Sequence, residues 1–138
     1  PATHRAVQRI IPISFPGGAK VAAQVDGQLV VTDQPVDSGG EASAAAPMDL
    51  FMASMATCAG YFALRFCQIR NIDVSGLELN MVCTKSDEKK LYTDFTLQVR
   101  LPADFPAKYK DSLLRAMDQC TVKRHFVEPP TVRSEVVD

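Results

Sequence analysis

Four cysteines, Cys58, Cys67, Cys83 and Cys120, are the side chains of this sequence best suited to carry chemistry. A cysteine thiolate is a nucleophile, and it can be oxidised to a sulfenic acid and then to a disulfide. The four residues form no Cys-x-x-Cys pair and no Cys/His spacing of a zinc site, so we expect no structural metal. Each thiol is therefore either a reactive group or a small apolar residue of the core.

A long apolar helix is predicted from residue 47 to about residue 70. Pro47 suits the first helical turn, and Asp49 would interact favourably with the positive end of the helix dipole. Between residues 50 and 64 every face carries apolar or small side chains, which is typical of a helix buried on all sides. That run is too short to span a bilayer, so we expect no membrane segment. A second subunit covering part of the helix is the simplest way to bury it.

Helix geometry separates the two thiols of this segment. Cys58 and Cys67 lie about 13 Å apart along the axis and on opposite faces, so they cannot form a disulfide within an intact helix. Cys67, near the helix end, and Cys83, on an apolar strand face, are interpreted as core thiols. Cys120 is predicted on the inward face of a second helix, and the intervening hairpin and helix could bring it to Cys58. Spacing alone leaves open whether these two residues form a functional pair.

The elements predict an α+β fold in one domain, residues 1–138. Apolar runs between residues 6 and 33, separated by Pro16-Gly17-Gly18 and Asp26-Gly27, indicate an antiparallel three-stranded meander. A Gly/Ser/Ala-rich loop, 34–46, precedes the long helix. The later elements are predicted strands at 77–84 and 91–101, a helix at 106–120 and a closing strand at 130–137. Strands grouped apart from helices favour α+β over a doubly wound sheet.

Composition excludes several classes of function. With 15 basic and 16 acidic residues and no basic run, the chain is not expected to bind nucleic acid. The sequence as given starts without the apolar segment and cleavage site of a signal peptide, so we expect a cytoplasmic protein. In a reducing cytoplasm, a disulfide would more often be catalytic or redox-sensing than structural.

Two motifs at a characteristic spacing point to a known family. Pro47-Met48-Asp49-Leu50 leads into Ala56-Thr57-Cys58, and a helix ending in Cys120-Thr121-Val122 follows about sixty residues later. This arrangement resembles the osmotically inducible protein C and organic hydroperoxide resistance family (OsmC/Ohr), and it is closer to the OsmC-like branch. The resemblance covers nearly the whole chain. It implies antiparallel sheets packed around a long central helix, in an intertwined homodimer.

The resemblance also implies an activity. Cys58 would be the peroxidatic thiol of a peroxidase that reduces organic hydroperoxides in oxidative stress defence, and Cys120 would be the resolving thiol. An external dithiol would reduce the resulting disulfide, and no cofactor is implied. Phe51, Met55 and Phe62 would line an apolar site that favours the alkyl part of a hydroperoxide.

Groups that could activate Cys58 depart from the pattern of the organic hydroperoxide resistance branch. An arginine directly follows the double glycine there, whereas this chain has Ala19 in that place and Lys20 one residue later. Lys20, Asp49 and Arg124 are candidate activating residues. Lys20 is a weak substitute, for which the role of a solvated strand charge is favoured, and Asp49 could serve only the helix start. The alternative function is a non-enzymatic dimer that binds a small apolar or electrophilic ligand.

Overall fold

The computed structural model describes residues 6–138, which form two compact units, one ending at Leu50 and the other comprising Phe51–Asp138. The first unit contains an antiparallel meander in the order β1-β2-β3, as predicted: β1 is Ile13–Gly17, β2 is Lys20–Val25 and β3 is Gln28–Thr32. Gly17 and Gly18 both have positive φ at the first turn, where glycine is favoured. The first strand begins at residue 13, later than the apolar run suggested.

A buried carboxylate holds the loop that follows β3. Asp33 is 1% exposed, and it accepts hydrogen bonds from the backbone N–H groups of Gln34, Glu41 and Ser43 at 2.8, 3.3 and 3.0 Å. The Ser43 hydroxyl donates a fourth bond at 2.6 Å. A Cβ on Gly40 would collide with the carbonyl of Gln34, so the chain can close this tightly only with glycine there. The loop is therefore tied to the end of β3 by one side chain.

Helix α1, Pro47–Ile69, confirms the long central helix. At its start the carboxylate of Asp49 accepts a hydrogen bond from the backbone N–H of Ala46 at 3.0 Å, which is the helix-start role considered for this residue. One face of α1 is buried: Met55, Ala59, Ala63, Phe66 and Cys67.

A single chain does not bury α1 on every face, and the prediction that a second subunit covers part of the helix stays a prediction. Phe51 remains 41% exposed and Tyr61 remains 55% exposed. At 23 residues, α1 extends beyond the apolar run 50–64 and is long and apolar enough to cross a membrane by length and composition. The core helix of a soluble protein meets the same criterion, so this observation is a weak indication.

The second unit packs a hairpin and two short helices with α1. Strands β4, Glu78–Ser86, and β5, Leu91–Arg100, pair antiparallel, close to the predicted positions. Alternate side chains of the hairpin, including Leu79, Leu97 and Val99, pack against a core that contains Ala63 and Phe66 of α1. Gly60 faces β4, since a Cβ there would lie 3.4 Å from the Leu79 side chain, at ordinary contact distance.

The C-terminal third differs from the prediction of one helix at 106–120. A 3₁₀ turn, Ala107–Tyr109, leads into α2, Lys110–Met117, and a separate helix α3, Thr121–Val127, follows. The predicted strand at 130–137 is wrong: within the described chain these residues form neither helix nor strand. Val136 is 97% exposed, and the segment pairs with no described strand, so its alternating pattern has no sheet edge to join.

We predict that Asp33→Asn lowers the melting temperature by several degrees and exposes the loop 34–46 to proteases. The amide has one acceptor oxygen, whereas the carboxylate accepts four hydrogen bonds. These bonds hold the pKa of Asp33 well below its usual range, with those from Ser43 having the largest effect. The carboxylate therefore stabilises the fold at neutral pH, and the stabilisation is lost in acid as the group becomes protonated.

Thermal unfolding and limited proteolysis of Asp33→Asn and of the unmodified protein, at neutral and acidic pH, measure this effect. The matched control is Asp37→Asn, because Asp37 is an exposed carboxylate in the same loop. A melting temperature for Asp33→Asn equal to that of the control at neutral pH would contradict the prediction.

Candidate active site

The start of α3 brings Cys120 to α1. Cys120 is the residue before the helix, and its sulfur accepts a hydrogen bond from the backbone N–H of Lys123 at 3.4 Å, as an N-cap residue does. Its sulfur also lies 3.9 Å from the backbone oxygen of Met55, one turn before Cys58 on α1. Cys120 is 1% exposed and Cys58 is half-buried. The inward position predicted for Cys120 is confirmed. The residue lies at the N-cap of α3, however, and not within a helix as predicted.

Hydrogen bonds lower the pKa of the Cys58 thiol. Burial would raise it, but the backbone N–H of Val122, the thiol of Cys120 and the backbone N–H of Thr121 together outweigh burial. Each of these donors stabilises the thiolate more than the neutral thiol. Cys58 therefore carries more thiolate near neutral pH than an ordinary cysteine does.

The pKa of the Cys120 thiol is raised. Burial is the largest cause, and the neighbouring Cys58 adds to it through the hydrogen bond and through charge repulsion, against the opposing effect of the Lys123 N–H. The Cys120 thiol is thus harder to ionise than that of Cys58, and its hydrogen has two acceptors within reach, the carbonyl oxygen of Met55 and the sulfur of Cys58. The two cysteines that the sequence proposed as a pair lie together, with opposite protonation preferences.

A cavity of about 340 Å³ adjoins the residues whose backbone N–H groups donate hydrogen bonds to Cys58. Its mainly apolar lining includes the two residues that donate backbone hydrogen bonds to the thiol; the lining consists of Phe51, Thr121, Val122, His125, Phe126 and Pro130. The Phe51 ring lies 5.5 Å from the Phe126 ring, centroid to centroid. An alkyl group of moderate size would lose its contact with water here.

The other residues predicted to bind substrate lie in different surroundings. Met55 lines a second cavity of about 520 Å³ together with residues of β5, α2 and α3, and Phe126 contributes to both cavities. Phe62 belongs to the lining of neither and packs edge to face with Tyr61, with 5.5 Å between ring centroids. Of the three apolar residues, Phe51 is the one placed in the cavity beside the Cys58 donors.

None of the three candidate activating residues contributes to the lowered pKa of Cys58. Lys20 forms an ion pair with Glu41 at 3.3 Å, within the N-terminal unit. Asp49 accepts the hydrogen bond at the start of α1 described above. Arg124 is exposed on α3 and lines a surface depression with His125, Val127 and Glu128.

The groups that act on Cys58 were not predicted from the sequence. Two are backbone N–H groups at the start of α3, and no side-chain motif marks them. Cysteine is not among the favoured N-cap residues, so Cys120 carried no signal of a helix start. The aromatic Phe126 was the available clue to an apolar cavity, but α3 itself was not predicted.

The remaining thiols fit the interpretation as core residues. Cys67 is fully buried, and burial raises the pKa of its thiol, with a smaller opposing effect from the charge of Arg70. Cys83 is half-buried on β4, and its sulfur lies 3.9 Å from the backbone oxygen of Met81. Neither has the set of donors that surrounds Cys58.

The model of the OsmC-like protein family matches residues 40–135, which include both cysteines of the pair. The chain belongs to this family. The resemblance inferred from the sequence is therefore confirmed. No curated protein sequence matches the chain.

Solved structures confirm the OsmC-like α+β fold at low sequence identity. An osmotic stress induced and detoxification response protein from Psychrobacter arcticus superposes with a TM-score of 0.71 at 17% identity, covering 88% of this chain and 90% of that one. An OsmC-like protein from Mycoplasma pneumoniae gives 0.68 at 14% identity, covering 91% of each chain. The organic hydroperoxide resistance protein OhrB of Bacillus subtilis gives 0.52 at 18% identity, covering 84% of this chain and 89% of that one.

We predict that Cys120→Ala slows alkylation of Cys58 at pH 7. The substitution removes a thiol that donates to the Cys58 thiolate, so the pKa of Cys58 rises towards its ordinary value. One hydrogen bond is worth about 1 kcal/mol, which corresponds to about a fivefold smaller thiolate population. The rate of iodoacetamide labelling of Cys58, followed by peptide mass spectrometry across pH, measures this change.

Cys83→Ala is the matched control for loss of a half-buried thiol. Its labelling profile at Cys58 should equal that of the unmodified protein. If Cys120→Ala also leaves the profile unchanged, Cys120 does not act on the Cys58 thiolate.

Proposed function

We propose that this OsmC-like protein is a thiol-dependent peroxidase that reduces organic hydroperoxides through Cys58, with Cys120 as the resolving thiol. One observation carries the proposal: a cysteine of lowered pKa lies beside a second, buried cysteine whose pKa is raised. A peroxidatic thiol must be ionised to attack, and a resolving thiol must be close enough to condense with the product.

The proposed cycle balances with these two residues and a peroxide. The Cys58 thiolate attacks the terminal oxygen of ROOH, the O–O bond breaks, and ROH leaves after taking up a proton. Cys58 is then a sulfenic acid. The sulfur of Cys120 attacks that of Cys58, water leaves, and a disulfide forms. An external dithiol regenerates both thiols by exchange through a mixed disulfide, and it is itself oxidised to a disulfide.

Apolar surroundings favour an organic hydroperoxide over hydrogen peroxide. The cavity lined by Phe51, Val122 and Phe126 can exclude water from an alkyl group, and hydrogen peroxide has none. Two structural relatives carry names that agree with this substrate class: OhrB of Bacillus subtilis and an organic hydroperoxide resistance protein OsmC from Legionella pneumophila. The stress-defence theme of the family supports the same activity.

The alternative is a non-enzymatic protein that binds a small apolar or electrophilic ligand. One observation favours it: among the described residues, hydrogen bonds alone lower the pKa of Cys58, and Lys20 is paired with Glu41. A thiolate without a cationic partner can add to an electrophile, yet it lacks a positive charge to stabilise the developing alkoxide of a peroxide. The two functions differ in whether a hydroperoxide is consumed catalytically.

We also propose a homodimer, acting in the cytoplasm. The exposed aromatic side chains of α1, Phe51 and Tyr61, would be covered by a second copy. The unpaired segment 130–137 has the alternating pattern of a strand and could pair with an edge of the other subunit.

The peroxidase proposal predicts a disulfide between Cys58 and Cys120 within seconds of adding one equivalent of an organic hydroperoxide to the reduced protein. Mass spectrometry of the alkylated peptides measures it, and turnover with dithiothreitol tests for catalysis. Cys58→Ser should abolish peroxide consumption, and Cys67→Ser is the control that retains it. If both thiols stay reduced for many minutes, the ligand-binding alternative replaces the peroxidase.

For the dimer, sedimentation of the unmodified protein should give twice the chain mass, and Tyr61→Glu should raise the dissociation constant at least about tenfold. A buried carboxylate without a partner costs well over 1.4 kcal/mol, which is the free energy of a tenfold change. Lys89→Glu, in the exposed turn between β4 and β5, is the control that should leave the mass unchanged. A pure monomer for the unmodified protein would contradict the proposal.

A further inference from the structure

His125 is the ionisable side chain in the lining of the cavity beside Cys58. The lining otherwise consists of two phenylalanines, a proline, a valine and a threonine. Arg124, the candidate activating residue on α3, does not contribute to the pKa of the thiol. The proposed reaction nevertheless releases an alkoxide, which is a strong base and a poor leaving group without a proton.

The backbone of Thr121 positions the imidazole. The Nδ1 atom of His125 lies 2.7 Å from the carbonyl oxygen of Thr121, and a carbonyl can only accept, so Nδ1 carries a hydrogen. The N–H of the same Thr121 donates to Cys58. One residue therefore holds both the thiolate and the imidazole. With Nδ1 engaged, Nε2 is left as the nitrogen that can exchange a proton.

We infer that His125 is a further catalytic residue: as an imidazolium, it gives its Nε2 proton to the oxygen of the leaving alkoxide when Cys58 attacks a hydroperoxide bound in this cavity. The inference rests on the proposed peroxidase function. The Cys58 sulfur bonds to the terminal oxygen and the O–O bond breaks. The proton of Nε2 passes to RO⁻ to give ROH, and the imidazole then regains a proton from water. Histidine is the side chain used most often for such transfers near neutral pH.

This role differs from that of the arginine found in the organic hydroperoxide resistance branch. A guanidinium stabilises charge without giving up its proton, whereas an imidazolium transfers one. The contribution of His125 should therefore depend on how much the leaving group needs a proton. An alkoxide needs it, and the carboxylate released from a peracid does not.

The test compares two oxidants in single-turnover oxidation of Cys58. With cumene hydroperoxide, His125→Gln should lower the second-order rate constant about 100-fold, a typical loss for a general acid. With peracetic acid the same variant should change it by less than about threefold, because no proton is required. Glutamine retains a hydrogen-bond donor but cannot transfer a proton. Glu128→Gln is the control variant and should leave both rate constants unchanged. Glu128 is exposed and directly follows the last residue of α3.

A second variant separates catalysis from structure. In His125→Ala, added imidazole should restore the rate with cumene hydroperoxide and have no effect with peracetic acid. Iodoacetamide labelling of Cys58 should be the same in all variants, because His125 does not contribute to the pKa of that thiol.

The outcomes distinguish the two claims. Equal losses with both oxidants, or no loss with either, would overturn the role of His125 while leaving the peroxidase intact. If the unmodified protein consumes no cumene hydroperoxide, the proposed function fails and the inference fails with it.

Discussion

The unpaired backbone N–H groups at the start of α3 are the constraint on which the site depends. The first N–H groups of any helix have no acceptor within the helix and must find one elsewhere. Here the sulfur of Cys120 accepts from Lys123, and the sulfur of Cys58 accepts from Thr121 and Val122. The two thiols therefore complete the helix start, and the helix start in turn brings Cys120 and Cys58 together. Neither the helix end nor the thiol pair can move without the other.

Donation from the backbone explains how Cys58 is activated without a charged side chain. Every substitution except proline keeps the peptide N–H group. The positions of these groups are set by the packing of α2 and α3 against α1. Their hydrogen bonds to a thiolate become stronger as water is excluded. The same exclusion keeps Cys120 protonated, since burial disfavours its charged form. One structural contact thus gives two chemically identical side chains different protonation states.

Local sequence patterns predicted those elements whose contacts are with residues nearby in the chain. The Gly17-Gly18 and Asp26-Gly27 turns define the meander, and the alternating side chains of β4 and β5 define a hairpin with a short connection. Spacing alone left the pairing of Cys58 with Cys120 open, and the resemblance to the OsmC/Ohr family implied it. The cap formed by Cys120 could not be predicted, because a seven-residue helix is too short to show a period and cysteine is a rare cap.

Two segments whose patterns predict contacts lack them in a single chain. They are the second face of α1, for which a second subunit was expected, and residues 130–137, for which a strand was expected. A hydrophobic pattern indicates that a segment packs against other apolar groups. Those groups need not belong to the same chain. An exposed Tyr61 is unfavourable, and so is a strand pattern that pairs with no sheet edge. A second copy of the chain could cover Tyr61 and could offer a sheet edge to residues 130–137. Both segments therefore bear on assembly as much as on the fold of a single chain.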